Sequence, residues 1–116
     1  MKIYLAGPMR GMPEFNFPAF HTAAAELRAA GHIVFNPAEA DEEIYGETFS
    51  VGNAAGDEDV AALTHGFDLR KALGKDLSWI CAEADAVALL PGWQSSKGAL
   101  AERATAIALH LQVIEL

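Results

Sequence analysis

Two acidic side chains and one tyrosine are the strongest candidates for chemistry in this sequence. Glu102 follows Gly98 by four residues, about one turn into a predicted helix. Asp76 lies in the middle of another predicted helix, where Asp is an unfavourable residue, so its presence there indicates a role. Tyr4 lies in a predicted buried strand, where its hydroxyl needs a hydrogen-bond partner. Each has a structural alternative, since the acids could be solvated helix residues and the tyrosine could bond to the backbone.

Two loops have the composition of ligand-binding turns. In the first, GPMRG at residues 7–11, two glycines allow the backbone to approach a ligand and Arg10 supplies a cation with a planar donor fork. The second, PGWQSSKG at residues 91–98, opens a helix whose N-terminal N–H groups attract anions, with Ser96 beside them. Neither loop is a GxGxxG fingerprint or a P-loop, so nicotinamide and ATP are not favoured and no cofactor is expected. For the first loop, an ordinary tight turn is the alternative.

Other reactive residue types give weaker signals. Trp93, in the second loop, could stack on a base, but it could equally form a pocket wall or cover a partner subunit. The four histidines show no metal-ligand spacing, so no metal site is expected. Cys81 is the only cysteine, which excludes an internal disulfide and fits a cytoplasmic protein.

The elements that must position these residues alternate between strands and helices. Apolar runs predict strands, apolar residues at helical spacing predict helices, and 38–66 has no clear period and is interpreted as a long loop with one short helix. The predicted strands are 2–6, 32–36, 85–90 and 112–116, and the predicted helices are about 16–30, 67–84 and 97–110. Asn16 is predicted to cap the first helix.

This order predicts an α/β fold of the flavodoxin or Rossmann-like type. We expect a three-layer sandwich with a mainly parallel sheet of four to five strands in the order 2-1-3-4 and helices on both faces. Residues 1–116 are expected to form one domain, with a lid-like loop at about 40–66. Ligands of such sheets bind beyond the carboxyl ends of the strands where the order reverses, and both loops meet there.

Composition narrows the possible partners. The chain has 116 residues, of which 52% are hydrophobic, so it can bury a core without disulfides or metals. The formal net charge of −8 disfavours a long nucleic acid as partner but allows a small anion held by a few local donors. No apolar run is long enough to span a bilayer, and the N-terminus lacks the pattern of a signal peptide.

Three segments together resemble a known superfamily. They are YLAGPMRG at 4–11, DLSWICAEADAVALL at 76–90 and SKGALAE at 96–102. Their order and spacing are similar to the nucleoside 2-deoxyribosyltransferase superfamily, most closely to its 2′-deoxynucleoside 5′-phosphate N-hydrolase branch. Small phage and prophage proteins of unassigned function also share the opening segment, the NFPAF helix and the LPGW segment.

The resemblance implies a role for each matching residue. Glu102 matches the nucleophile that attacks C1′, Asp76 the acid that helps the base depart, and Tyr4 a residue that orients the nucleophile. Cleavage or transfer at the N-glycosidic bond of a deoxynucleoside or its 5′-monophosphate would then proceed by double displacement, which requires the two carboxyls to lie about 5 Å apart. A homodimer or higher homo-oligomer is expected, since the sites of that superfamily are shared between subunits. Arg10, Ser96 and Gly98 match positions near the sugar or its 5′ phosphate. From the two loops themselves, Gly7, Pro8, Gly11 and Trp93 are also expected to bind the substrate.

Departures from the pattern leave alternatives open. Pro8 stands where the hydrolase branch has a small hydroxyl residue, and residues 92–94 lengthen the second loop. The superfamily completes its site with a residue that follows the last strand, and this sequence stops at that strand. These differences keep open a nucleotide-binding or sensing module on the same scaffold, or an interaction protein that has lost the pocket. A ribonucleotide phosphoribohydrolase-like enzyme is the other alternative, because LPGWQSSKGALAE faintly resembles its PGGxGTxxE loop.

Overall fold

The sheet has four parallel strands among the residues that the structure describes. The computed structural model describes residues 1–46, 49–51 and 53–116, without the side chains of 63–65. The strands are β1 (Lys2–Ala6), β2 (Ile33–Phe35), β3 (Ala86–Leu89) and β4 (Gln112–Glu115). All three pairings are parallel and the order is β2-β1-β3-β4, which confirms the predicted α/β class and strand order.

Five α-helices connect and cover the strands in the described part of the chain. They are α1 (Phe17–Ala29), α2 (Pro37–Tyr45), α3 (Glu58–His65), α4 (Leu69–Glu83) and α5 (Lys97–Ala108). Of these helices, none is long and apolar enough to cross a membrane.

Alternating side chains of β1 pack into two separate hydrophobic cores, one on each face of the sheet. Ile3 and Leu5 pack with α1 and α2 on one face of the sheet, while Tyr4 and Ala6 pack with α4 and α5 on the other. All four side chains are fully buried. The helices therefore lie on both faces, as predicted, and Tyr4 faces the two helices that carry Asp76 and Glu102.

The segment predicted as a long loop with one short helix contains two helices, so that prediction was wrong in part. The Asn36 side chain caps α2 by accepting from the Ala38 N–H at 2.9 Å, and Pro37 is the first helical residue. Asp57 caps α3 in the same way. These helices have nine and eight residues, too short to display a clear apolar period, and their caps supply the missing signal. Residues 47, 48 and 52 of the predicted lid-like loop lie outside the described residues.

The turn after β1 contains three consecutive residues in the left-handed region. Glu14, Phe15 and Asn16 have φ of 52°, 53° and 61°, a conformation that costs about 1–2 kcal/mol for each residue. Asn16 does not cap α1 as predicted, because its side-chain amide donates to the Pro8 carbonyl at 3.1 Å. The Glu14 N–H donates to the Asn53 carbonyl at 2.9 Å. These bonds offset the strain and join the turn to the segment before α3.

Gly56 is a second point of contact between that segment and the turn. Its carbonyl accepts from the Gly11 N–H at 3.1 Å, and its φ is +58°. A Cβ at this position would lie 2.4 Å from the Met12 carbonyl oxygen. Only glycine therefore fits here, and its presence sets α3 beside the turn that carries Arg10.

We expect Gly56→Ala to lower the free energy of unfolding by about 1–3 kcal/mol, since the methyl group meets backbone and the left-handed conformation is strained. Urea denaturation followed by circular dichroism measures the change. Gly74→Ala is the matched control: Gly74 is exposed within α4, a Cβ added there would have no neighbour within 4 Å, and the change should stabilise the chain slightly. Equal stability of Gly56→Ala and wild type would contradict the assigned contact.

Candidate active site

A cavity of about 80 Å³ lies beyond the carboxyl ends of β1 and β3, where the strand order reverses. It is lined by residues of β1, of the turn that follows β1, and of each of the helices α2, α3, α4 and α5. The predicted residues that line it are Tyr4, Gly7, Arg10, Asp76, Ser96, Gly98 and Glu102. The fold thus brings together residues that are up to 98 positions apart in the sequence.

The centre of the site is a hydrogen bond between a tyrosine and a glutamate. The Tyr4 hydroxyl donates to Oε2 of Glu102 at 2.6 Å, the length of a charge-assisted O–H···O bond. Tyr4 is fully buried, and Glu102 is 6% exposed. The Phe35 and Trp79 rings pack against the Tyr4 ring, with centroids 5.4 Å and 6.4 Å away. This packing fixes the hydroxyl, and the hydroxyl in turn orients the carboxyl.

Burial raises the pKa of both predicted catalytic acids. The pKa of Glu102 is raised to about 8, chiefly by burial; the Tyr4 hydrogen bond opposes the rise, and the Asp76 and Asp41 carboxylates add to it. The pKa of Asp76 is raised to about 7, again chiefly by burial, and its interaction with the Tyr4 hydroxyl opposes the rise. Burial and the two carboxylates raise the pKa of Tyr4 well above its ordinary value, so Tyr4 remains a neutral donor. The site can therefore hold or exchange protons near neutral pH.

Asp41 is a third carboxyl in the cavity, and the sequence analysis missed it. Burial raises its pKa to about 7, and the Asp76 carboxylate adds to the rise. It lies one turn after Pro37 on α2, and both residues line the cavity. In the sequence Asp41 belongs to an acidic run that has the composition of a solvated loop. Its inward position becomes evident only once the Asn36 cap and α2 are known.

Arg10 is already engaged by an acid. Its guanidinium Nη1 lies 3.2 Å from Oε1 of Glu58 in the first turn of α3, and both residues line the cavity. Arg10 is the only basic residue among the described lining residues, which include four acids: Asp41, Glu58, Asp76 and Glu102. The described lining is thus acidic in character and its one basic side chain is paired, while the Lys75 ammonium opposes the rise in the pKa of Asp41 and of Asp76.

The N-terminus of α5 forms the edge of the cavity nearest to Glu102. The Ser96 hydroxyl caps this helix by accepting from the Ala99 N–H at 3.1 Å. Gly98 follows in the first turn, and no side chain there covers the approach to Glu102. Ser96 and Gly98 therefore lie where the sequence predicted, with Ser96 serving as a helix cap.

Aromatic residues form the apolar wall of the cavity. Phe15 and Phe49 stack with centroids 5.4 Å apart and planes 9° apart, and Phe67 packs against both. All three line the cavity. Sequence analysis did not assign them, since Phe15 lies in the irregular turn and Phe49 in the segment without a period.

Three predicted substrate-binding residues do not line the cavity. The Trp93 indole N–H donates to Glu115 at 3.1 Å, and the Arg103 guanidinium lies over its ring at 5.0 Å. The Gly11 N–H is bonded to Gly56, and Pro8 is buried with its carbonyl bonded to Asn16. Trp93, Pro8 and Gly11 support the loops around the site, and the geometry does not place them against a ligand in the cavity.

The carboxyls do not form a metal site. No group of three or more His, Cys, Asp or Glu side chains within the described residues has the geometry to hold a metal ion. Two acids on one tyrosine, an acidic cavity and a flanking helix N-terminus instead suit acid–base and nucleophilic chemistry on an uncharged or cationic centre.

Comparison with known proteins gives a family without an assigned activity. Residues 1–115 match the model of a family described as "Domain of unknown function (DUF4406)". Searches of the curated proteins and of the solved structures gave no match.

Proposed function

This chain belongs to the DUF4406 family, and we propose that it breaks the N-glycosidic bond of a nucleoside or nucleotide through a glycosyl-enzyme on Glu102. The observation that carries the proposal is the 2.6 Å hydrogen bond from Tyr4 to Glu102 in a cavity that also contains Asp76. The resemblance to nucleoside 2-deoxyribosyltransferases assigns roles to these same three residues. The proposal includes a cytoplasmic setting, which the single cysteine favours, and a homo-oligomer, which the resemblance implies.

The first chemical step uses the two acids in different protonation states, with Glu102 ionised and Asp76 protonated. Because the pKa of Glu102 is raised to about 8 and that of Asp76 to about 7, this is the less populated arrangement of the proton in the coupled pair. The ionised Glu102 carboxylate attacks C1′, and the C1′–N bond breaks with its electron pair moving to the base. Asp76 donates a proton to that base, which leaves in neutral form. In the second step Asp76 accepts a proton from water, or from an incoming base, as this group displaces Glu102 from C1′.

The geometry supports a retaining mechanism. The Tyr4 hydroxyl bonds to Glu102 and also interacts with the Asp76 carboxyl. Tyr4 thus acts on both carboxyls, and all three side chains line one cavity. Retaining glycosidases hold their two carboxyls about 5 Å apart, whereas inverting enzymes need a wider gap for water.

The acidic cavity supports the same chemistry. Cleavage of a glycosidic bond passes through a transition state in which the sugar carries positive charge. Negative charge aimed at the place where positive charge develops lowers the barrier. The carboxyls of Asp41, Asp76 and Glu102 line one cavity; the Asp76 carboxylate raises the pKa of both other groups, and the Asp41 carboxylate raises that of Glu102, so a cation formed among them is stabilised.

The direct test is release of free base from a panel of substrates. The protein is incubated with ribo- and deoxyribonucleosides and their 5′-monophosphates, and free base is measured by chromatography. Intact mass spectrometry after rapid quenching, followed by peptide mapping, is expected to locate a glycosyl adduct on Glu102. Tight binding without base release from any substrate would instead support the sensing alternative, and release from ribonucleotides alone would support the phosphoribohydrolase-like alternative.

Tyr4→Phe is expected to lower kcat/KM by about 10- to 100-fold, because a hydrogen bond to a charged group contributes about 1.5–3 kcal/mol. The bond also lowers the pKa of Glu102, so its loss should move the acidic limb of the pH profile to higher pH. Initial rates from pH 5 to 9 measure both effects. Tyr45→Phe, which removes the hydroxyl of the chain's other tyrosine, is the control. An unchanged pH profile in Tyr4→Phe would contradict the assigned role.

A further inference from the structure

The ion pair between Arg10 and Glu58 bears on which substrate the cavity accepts. Enzymes that bind a 5′-phosphate hold it with cations and with backbone N–H groups. Arg10 is the only basic side chain among the described lining residues, and its guanidinium lies 3.2 Å from Glu58. A phosphate bound by Arg10 would have to displace the Glu58 carboxylate from the one basic side chain of the described lining.

Glu58 is held in place by a network of backbone contacts. Asp57, immediately before it, caps α3 and exchanges two hydrogen bonds of 3.0 Å with the Asn53 side chain. The Asn53 carbonyl accepts from Glu14, and the Gly56 carbonyl accepts from Gly11. The last two bonds tie this segment to the turn that carries Arg10, and the bonds between Asn53 and Asp57 join it to the start of α3. The backbone segments that carry the two side chains are therefore joined, which holds the half-exposed Arg10 side chain beside Glu58.

Part of the backbone of the turn is already engaged or has no donor. The N–H of Gly11 donates to Gly56 and that of Met12 donates to Met9, while Pro8 has no N–H. Three further acids, Asp41, Asp76 and Glu102, line the same cavity. A dianionic phosphate would thus meet like charges on several sides, whereas the 5′-hydroxyl of a nucleoside could donate a hydrogen bond to Glu58.

We propose that Glu58, by pairing with Arg10 at the mouth of the cavity, selects nucleosides against their 5′-phosphates. This inference rests on the proposed function and names its substrate class. A like charge placed against a wrong ligand is a common source of specificity, because it weakens that ligand without strengthening the right one. Glu58 is a specificity-determining residue in this proposal and takes no part in bond breaking.

The test compares a deoxynucleoside with its 5′-monophosphate, both with the same base. The wild type is expected to favour the nucleoside in kcat/KM by about tenfold or more. Glu58→Gln keeps the shape of the side chain and removes its charge, and it is expected to shift the ratio toward the monophosphate by about 10- to 100-fold. Asp59→Asn removes a charge from the next, exposed residue of α3 and should leave the ratio unchanged. A wild type that prefers the monophosphate, or a ratio unaffected by Glu58→Gln, would overturn the inference.

Binding measurements separate this inference from the proposed function. Calorimetry with the Glu102→Gln variant, with and without Glu58→Gln, reports affinity for the same two ligands without chemistry. Preferential nucleoside binding that Glu58→Gln removes, together with no base release by the wild type, would uphold the selectivity and overturn the enzymatic proposal. Base release with a preference for the monophosphate would uphold the enzymatic proposal and overturn the selectivity. Binding of neither ligand would overturn the selectivity.

Discussion

Replacing Glu102 by Gln is expected to lower base release by at least about 10⁴-fold, because the amide cannot form the glycosyl-enzyme. The amide oxygen can still accept the Tyr4 hydrogen bond, so the cavity should keep its shape. The rate is measured as free base released per enzyme, and the covalent adduct should disappear from the mass spectrum. Glu26→Gln, the same change at an exposed position on α1, is the control. Activity of Glu102→Gln within tenfold of wild type would exclude Glu102 as the nucleophile.

The same substitution is expected to stabilise the protein at alkaline pH. The pKa of Glu102 is raised from 4.5 to about 8 in the folded chain, so ionisation is less favourable there than in the unfolded chain. Below about pH 4 both states are protonated and the penalty is absent; it grows as pH rises and is complete above the folded pKa. A shift of this size corresponds to roughly 3–5 kcal/mol at pH 9.

Thermal denaturation of wild type and Glu102→Gln from pH 5 to 9 tests this linkage. The stability difference in favour of the variant should increase with pH, while Glu26→Gln should show no such trend. A gain in stability combined with loss of activity would indicate that the buried carboxylate is retained for function at a cost to stability. A variant that loses stability at pH 9 relative to wild type would show that the Tyr4–Glu102 bond outweighs the burial of the charge.

The sheet could be predicted because its signals are local. Short apolar runs ended by Gly-Pro, Pro and Pro-Gly mark β1, β2 and β3, and the helices between them leave parallel pairing as the consistent arrangement. The meeting of Tyr4, Asp76 and Glu102 at one edge of the sheet was expected from the resemblance to nucleoside 2-deoxyribosyltransferases. The strands and their order need only the period of the apolar residues and the handedness of crossovers.

The missed and misplaced residues depend on contacts between distant segments. Asp41 and Glu58 resemble solvated acids in sequence, and only the caps of α2 and α3 turn them toward the cavity. Trp93 follows a Pro-Gly turn and has the composition of a ligand-binding residue, but Arg103 and Glu115 hold it elsewhere. Neither partner is predictable from the loop that contains the tryptophan. Charged and aromatic residues in a sequence thus indicate that a site is near, but tertiary packing decides whether their side chains point into it.

Asp76→Asn is expected to lower kcat/KM by about 10²- to 10⁴-fold on substrates whose base must be protonated to leave. Asn lacks the exchangeable acidic proton of a carboxyl whose pKa is raised to about 7. The loss should be much smaller for a nucleoside with an N-alkylated purine, because that base already carries positive charge and departs without a proton. Asp59→Asn, an Asp-to-Asn change at an exposed site, is the control.

The pH profile of Asp76→Asn distinguishes an acid from a residue that only shapes the cavity. The Asp76 carboxylate raises the pKa of Glu102, so its removal should move the acidic limb of the profile to lower pH. The basic limb, which reports loss of the proton from Asp76, should disappear. The contrary result is a variant that is equally impaired on ordinary and N-alkylated nucleosides and that keeps both the acidic and the basic limb of its pH profile. That result would assign the proton transfer to another group, for which Asp41 in the same cavity is the next candidate.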